Sequence, residues 1–336
     1  MTVVGPLGLS VRDQALEADV QAGLAAVEEG LFEATKSSVP FITEAAQHLV
    51  RAGGKRFRPL LALLAARFGD PHAPGIVPSA VVVELTHLAT LYHDDVMDEA
   101  EVRRGVPSAN VNWGNSVAVL TGDFLFARAS HILADLGPEA VRIQAEAFER
   151  LVTGQILETA GPRERTDPID HYLEVVAGKT GSLIAVSGRF GSLMAGADER
   201  TVDVLTQYGE RIGTAFQLAD DVLDIASDSH ESGKTPGTDL REGVPTLPVL
   251  HLRAMAEQGG APEDRALCAL LDGDLTDDAR HAEALAGLRA HPALEQARRD
   301  TVRFADQARE VLGPLPDCAA KQALAELCDT VVHRAG

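Results

Sequence analysis

Apolar residues recur at helical spacing along nearly the whole chain, as in Leu16, Val20, Leu24, Val27 and Leu31. Alternating β-branched runs bounded by hairpin turns are missing. That pattern restricts the chain to an all-α fold. Val81-Val82-Val83 resembles a strand in isolation, but it continues without a breaker through Leu85, Leu88 and Leu91, a length that suits a buried helix. Glycine and proline punctuation at 53–54, 69–78, 103–114, 161–168, 227–248 and 259–262 marks the loops between helices. No repeat of fixed period, low-complexity linker or composition shift divides the 336 residues, so residues 1–336 are expected to form a single large antiparallel helical domain.

Fifty acidic residues against thirty basic ones give a net charge of −20, which disfavours nucleic-acid phosphates and anionic membranes as partners. Cys268, Cys318 and Cys328 form no Cys-x-x-Cys pair and lack a histidine at zinc-site spacing, so reduced thiols are expected. The N-terminus has no basic segment followed by an apolar core, and no run approaches the roughly 18 apolar residues needed to span a bilayer. A cytoplasmic protein without a membrane span is expected.

One short motif occurs twice. Asp94-Asp95-Val96-Met97-Asp98 and Asp220-Asp221-Val222-Leu223-Asp224 each end an apolar helical stretch and each read Asp-Asp-x-x-Asp. The first and last aspartates of each lie four apart on one helix face, so two carboxylates project in the same direction. Such pairs repel unless cations join them. Magnesium prefers oxygen ligands and is typically shared between one or two carboxylates, water and substrate phosphates. The doubled motif therefore points to a magnesium-dependent enzyme acting on diphosphate esters. A solvated helix end is the alternative for a single copy, and two copies on apolar helices weaken it.

Basic residues gather in Arg51-Ala52-Gly53-Gly54-Lys55-Arg56-Phe57-Arg58-Pro59 and again in Arg103-Arg104. Glycine permits close backbone approach to an anion, arginine supplies forked donors and lysine a point charge. Gly178-Lys179-Thr180-Gly181 interrupts a helix and offers Lys179 as a further cation.

With Phe216-Gln217-Leu218-Ala219-Asp220-Asp221, Gly122-Asp123 and the stretch from Gly233 to Leu240, these motifs run in order from Gly53 to Pro248. In that order and spacing the chain resembles the trans-isoprenyl diphosphate synthases, or polyprenyl synthetases. The resemblance implies a helical bundle around a deep central cavity, assembled as a homodimer. It places isopentenyl diphosphate on Lys55, Arg58, His87 and Arg104. It places magnesium, three ions per site, on Asp94, Asp98 and Asp220, with Asp95, Asp221 and Asp224 completing the clusters. It brings Arg103, Lys179 and Lys234 to the allylic diphosphate, and Thr180 and Gln217 to the developing cation. One departure stands out. Many members carry a lysine where this chain has Val244; either Arg241 substitutes for that charge or Lys179 and Lys234 hold the diphosphate alone.

The implied reaction is ionisation of the allylic diphosphate followed by attack of isopentenyl diphosphate, with electrostatic stabilisation and alignment rather than a nucleophilic side chain. A terpene cyclase is a rival, but it needs no second-substrate set and commonly has a different second metal motif. A regulatory subunit is another, and degraded aspartate motifs would signal it. For product length the guides are Ala89 and Thr90, five and four residues before Asp94 and one helical turn deeper. Small residues there serve close helix packing equally well. The resemblance favours a tunnel instead, because short-chain members often place a bulky aromatic at one of these positions. The expected product is therefore a long all-trans polyprenyl diphosphate of more than about twenty carbons, its tail passing Thr86, Leu85 and Val82. A farnesyl- or geranylgeranyl-length product is the alternative.

Overall fold

The structure is a computed structural model that describes residues 13–227 and 236–335. Its helices are α1 (Gln14–Ala34), α2 (Pro40–Arg51), α3 (Phe57–Ala65), α4 (Ile76–Met97), α5 (Ala109–Trp113), α6 (Asn115–Leu136), α7 (Pro138–Ala160) and α8 (Pro168–Val176). They continue with α9 (Ser182–Met194), α10 (Glu199–Ala226), α11 (Thr238–Arg241), α12 (Leu247–Glu257), α13 (Pro262–Leu271), α14 (Asp278–Ala290), α15 (Pro292–Val311) and α16 (Ala319–Ala335). The all-α expectation holds. Among the described residues the strands are β1 (Val102–Arg103) and β2 (Val106–Pro107), an antiparallel pair.

The chain falls into two compact units. One comprises Met1–Glu149, Ser182–Gly209 and Val311–Glu326, and the other Arg150–Gly181, Glu210–Glu310 and Leu327–Gly336.

In the first unit α4 is the central element, packed by α1, α3, α6 and α9. Val81, Val82, Val83, Leu85 and Leu88 are all buried, which explains why this helix reads as continuously apolar instead of amphipathic. Gly122 lets α6 approach α4, since a Cβ there would run into His93 and the Ala89 carbonyl. The Tyr92 hydroxyl, fully buried, donates to the Ala45 carbonyl at 2.5 Å and ties α2 to α4. Asp13 caps α1 by accepting from the backbone of Ala15 and Leu16.

In the second unit α12 packs on α8 and α13, and α14 packs on α11 and α13. A π-helical turn at Ala177–Gly181 follows α8, where the sequence placed an interruption. No disulfide links the three cysteines.

One expectation about the membrane needs amending. Helix α6 is long and apolar enough to cross a bilayer by length and composition, and a third of that stretch is buried. It carries Asp123 and Arg128, and the Arg128 guanidinium donates to the Ala34 carbonyl at 2.5 Å. Val119 and Leu120 leave an exposed apolar strip on the helix.

Candidate active site

The first aspartate motif ends α4 in a left-handed turn. Asp98 is the C-cap, Glu99 has φ of 50°, and the Ala100 amide donates to the Asp95 carbonyl at 2.9 Å. This six-to-one bond stops the helix sharply and turns the chain into the β1–β2 hairpin. The motif's three carboxylates separate by helical phase. Asp95 is fully buried, Asp94 is partly exposed and Asp98 is exposed. Asp95 accepts from Arg103 Nε at 2.5 Å through one oxygen, while its other oxygen is buried with no hydrogen-bond partner. Burial raises the Asp95 pKa, and Arg103 opposes that rise.

Arg104 and Gly105 occupy the hairpin turn with φ of 54° and 77°. Positive φ at both central residues is the geometry of a tight primed turn, and it directs adjacent arginines apart. Arg104 donates to the carbonyls of Leu49, at 3.1 Å, and Gly53, and lies 3.8 Å from Glu84. Gly54 has φ of 153°, and a Cβ there would press into the Arg104 guanidinium, so glycine is required at that point.

Glu84 anchors a cationic cluster. It is buried, accepts from Arg56 at 2.9 Å and interacts with Arg58 and Arg104. Arg56 also pairs with Glu28. Burial pulls the Arg58 pKa down to about 10, helped by Arg104 and opposed by Glu84, and the Arg58 Nε is buried without a hydrogen-bond partner. His87 is held well below its usual value of 6.5, by burial first and then by Arg58, Arg104, Arg56 and Arg103. The imidazole is therefore neutral at physiological pH. Three of the four residues expected to hold one diphosphate, Arg58, His87 and Arg104, are thus electrostatically coupled, and Lys55 stands exposed in the adjoining loop.

Glu84 itself was missed in the sequence. Its signal was a lone charge in the apolar run from Val81 to Leu85, three residues before His87. Glu84 and His87 form the chain's single Glu-x-x-His, whereas a di-iron bundle uses that motif from two helices. Here the carboxylate serves arginines.

In the second unit Asp220, Asp221 and Asp224 lie on α10. Asp220 meets Arg334 at 2.5 Å, and the Arg334 guanidinium sits 4.9 Å from the centroid of the Phe216 ring. Asp221 is buried and accepts from the Tyr172 hydroxyl and from Gln217 Nε2, the latter at 2.8 Å. Its pKa is pushed up to about 7, chiefly by burial, and the two hydrogen bonds oppose the rise. Asp224 accepts from the backbone amides of Thr238 and Asp239, both at 3.2 Å, and so fixes the start of α11. Tyr172 is a second residue that sequence reasoning did not single out.

Lys179, on the π-helical turn, pairs with Glu158 at 2.5 Å. Thr180 donates to Gln217 Oε1 at 3.1 Å, so these two expected neighbours do meet. Lys234 lies outside the described residues. Val244 is exposed, and Arg241 is engaged with Asp278 at 2.9 Å.

The chain-length candidates differ from each other. Ala89 is fully buried where α6 crosses, whereas Thr90 is partly exposed. Thr86, Leu85 and Val82 are also buried.

Among the described residues no three His, Cys, Asp or Glu side chains gather closely enough to hold a metal ion by themselves. Magnesium does not require such a cage, because it takes one or two carboxylates and completes its shell with water and substrate phosphate. In the first unit Asp94 on α4 and Asp98 at its C-cap, and in the second unit Asp220 on α10, are hard oxygen donors with some solvent access, the donor type that ion prefers.

Comparisons with known proteins identify the family. The polyprenyl synthetase family matches residues 39–286. Nonaprenyl diphosphate synthase of Mycobacterium tuberculosis is 50% identical over 330 residues, covering 98% of this chain and 97% of that protein. Geranylgeranyl pyrophosphate synthase of Corynebacterium glutamicum, solved with calcium and isoprenyl diphosphate, is 45% identical, with a TM-score of 0.86 over 97% of this chain and 99% of that one. A decaprenyl diphosphate synthase of Rhodobacter capsulatus, also with a TM-score of 0.86, is 37% identical over 96% of this chain and 99% of that one. The chain belongs to the polyprenyl synthetase family.

Proposed function

We propose that the protein is a prenyltransferase that condenses isopentenyl diphosphate with an allylic diphosphate and releases a long all-trans polyprenyl diphosphate, of a kind suited to a quinone side chain. The observation that carries this reading is the cluster of Arg58, neutral His87 and Arg104 around buried Glu84, with an Arg58 donor left unmatched. Such a cluster suits a doubly charged phosphate group.

In this reading Lys55, Arg58 and Arg104 hold the isopentenyl diphosphate, and neutral His87 donates a hydrogen bond to it. Arg103, kept in place by Asp95, joins Lys179 and Lys234 on the allylic diphosphate. Asp94, Asp98 and Asp220 hold magnesium, with Asp95, Asp221 and Asp224 ordering the residues around them. When bound, up to three magnesium ions supply positive charge to the departing diphosphate. The allylic carbon–oxygen bond breaks and its electron pair leaves with the diphosphate. The isopentenyl double bond then attacks the allylic carbon, forming the new carbon–carbon bond, and a proton passes to the released diphosphate as a double bond is restored. Thr180 and Gln217 line the positively charged allyl group.

A shorter product is the second reading, favoured by the complete burial of Ala89 and the near-complete burial of Thr86 along the face below Asp94. The exposed apolar residues Val111, Val119 and Leu120 on α5 and α6 suit a second copy of the chain, so the enzyme is proposed to work as a cytoplasmic homodimer. The test is incorporation of labelled isopentenyl diphosphate by metal-stripped protein before and after magnesium is restored. Incorporation that requires both magnesium and an allylic primer supports the reading, and none under either condition refutes it.

A further inference from the structure

The carboxyl end of the second aspartate motif is tied to α14, a helix that carries none of the motif residues. Asp224 is bonded to the turn at 237–239 through its backbone and its side chain. Its carbonyl accepts from the Gly237 amide at 2.8 Å, and its carboxylate oxygens accept from the amides of Thr238 and Asp239, each at 3.2 Å. His281 on α14 is 5% exposed, and its Nε2 donates to the Gly237 carbonyl at 2.8 Å. Gly237 has φ of 73°, and a Cβ there would come within 2.7 Å of that nitrogen, so the imidazole lies directly against the backbone. Two turns along α14, about 12 Å away, Arg289 donates to the carbonyls of Ile225, at 2.6 Å, and Ser227, where α10 ends. All of these residues belong to the second unit.

Burial decides which contact holds the turn. Arg241 also joins α11 to α14, through Asp278 at 2.9 Å, but Asp278 is 91% exposed, and a pair so open to water contributes little. The His281 bond lies in the interior, where a hydrogen bond is stronger and a lost partner costs more. A carboxylate that accepts from two successive amides points where those amides put it. His281 therefore reaches the motif through the backbone: the imidazole holds the Gly237 carbonyl, and the amides that follow hold Asp224.

We propose that His281 is a positioning residue for the second aspartate motif: by fixing the Gly237 carbonyl it holds the turn that aims the Asp224 carboxylate, and so sets how well the motif takes magnesium with a diphosphate. The proposal rests on the prenyltransferase reading above. It gives α14, which supplies no magnesium or substrate ligand in that reading, a part in the allylic half of the reaction.

The test compares His281→Leu, which keeps bulk without a donor, His281→Gln, which keeps an N–H donor, and Leu288→Ala, which opens a space at a fully buried position on the same helix. Each protein is titrated calorimetrically with inorganic diphosphate in the presence of magnesium, and its Michaelis constants, turnover and thermal midpoint are measured. His281→Leu should weaken magnesium-dependent diphosphate binding by about fivefold or more, the scale of one lost buried hydrogen bond. The KM for the allylic primer and the magnesium concentration giving half-maximal activity should rise by about the same factor. The KM for isopentenyl diphosphate should stay within about twofold, because its proposed residues lie in the first unit. His281→Gln should return these values to within about twofold of wild type. Leu288→Ala should lower the thermal midpoint and leave the magnesium requirement unchanged. If His281→Leu keeps the wild-type magnesium requirement and diphosphate affinity, or if Leu288→Ala raises that requirement equally, His281 only packs α14 and the proposal is wrong. Should the wild-type protein carry out no condensation, the prenyltransferase reading fails, while the calorimetric titration still reports separately on His281.

Discussion

Arg103 and Arg104 are consecutive in the chain, yet their guanidinium groups serve different carboxylates: Arg103 lies 2.5 Å from Asp95 and Arg104 lies 3.8 Å from Glu84. The hairpin turn that begins at Arg104 produces this divergence. Arg104 faces the Arg58 and His87 cluster, while Arg103 stays beside the first aspartate motif. Arg104→Ala should therefore raise the KM for isopentenyl diphosphate by about tenfold or more, the scale of a lost charged hydrogen bond, with a smaller effect on the allylic primer. Arg103→Ala should do the reverse. Steady-state kinetics with each substrate varied in turn checks this, and equal changes in both constants for both variants would refute the division.

Asp94→Asn and Asp220→Asn should each lower turnover on the order of 10²-fold or more, because each removes a carboxylate proposed to hold magnesium where charge develops. The magnesium concentration giving half-maximal activity should rise in both. Near-normal turnover in either variant would remove that residue from the metal site.

Ala89 and Thr90 should respond differently to the same enlargement. Ala89 is fully buried against α6, so Ala89→Phe forces a ring into a packed helix crossing and should cost about 1–3 kcal/mol or more of stability. Thr90 is partly exposed, so Thr90→Phe should shorten the product while the thermal midpoint changes little. Thermal unfolding and product chromatography on the two proteins distinguish packing from tunnel positions. A stable Ala89→Phe enzyme with short products would show that Ala89 lines the tunnel after all.

His87 links folding to pH. Its folded pKa is depressed below 6.5, so between that lower value and 6.5 the unfolded chain binds a proton that the folded chain does not. Stability from this group is complete above 6.5 and is lost as pH falls through that window. His87→Gln should therefore lose less stability than wild type when denaturant unfolding is compared at about pH 7.5 and about pH 5.5. An unchanged difference between the two pH values would contradict a depressed histidine.

The helical fold was legible because its signal is local. A 3.6-residue period repeats through α1, and two Asp-Asp-x-x-Asp motifs stand at helix ends. What escaped depends on contacts far apart in sequence. Nothing in the neighbourhood of Asp221 points to Tyr172, 49 residues away. The two-residue strands of the hairpin are too short for a period to register. Ala89 was open to two readings because a small residue suits a tunnel and a helix crossing alike. Only Gly122 on α6, 33 residues on, shows how closely that helix approaches. Glu84 was within reach, since a carboxylate in a run of buried aliphatics needs a cationic partner.

The most direct test is to incubate the purified chain with magnesium, labelled isopentenyl diphosphate and an allylic primer, and to size the dephosphorylated products by chromatography. The expected result is successive condensation to all-trans chains of more than about twenty carbons, longer than the farnesyl and geranylgeranyl products of a closed pocket. A product that stops at fifteen or about twenty carbons would contradict the long-chain assignment, and no primer-dependent condensation at all would contradict the prenyltransferase itself.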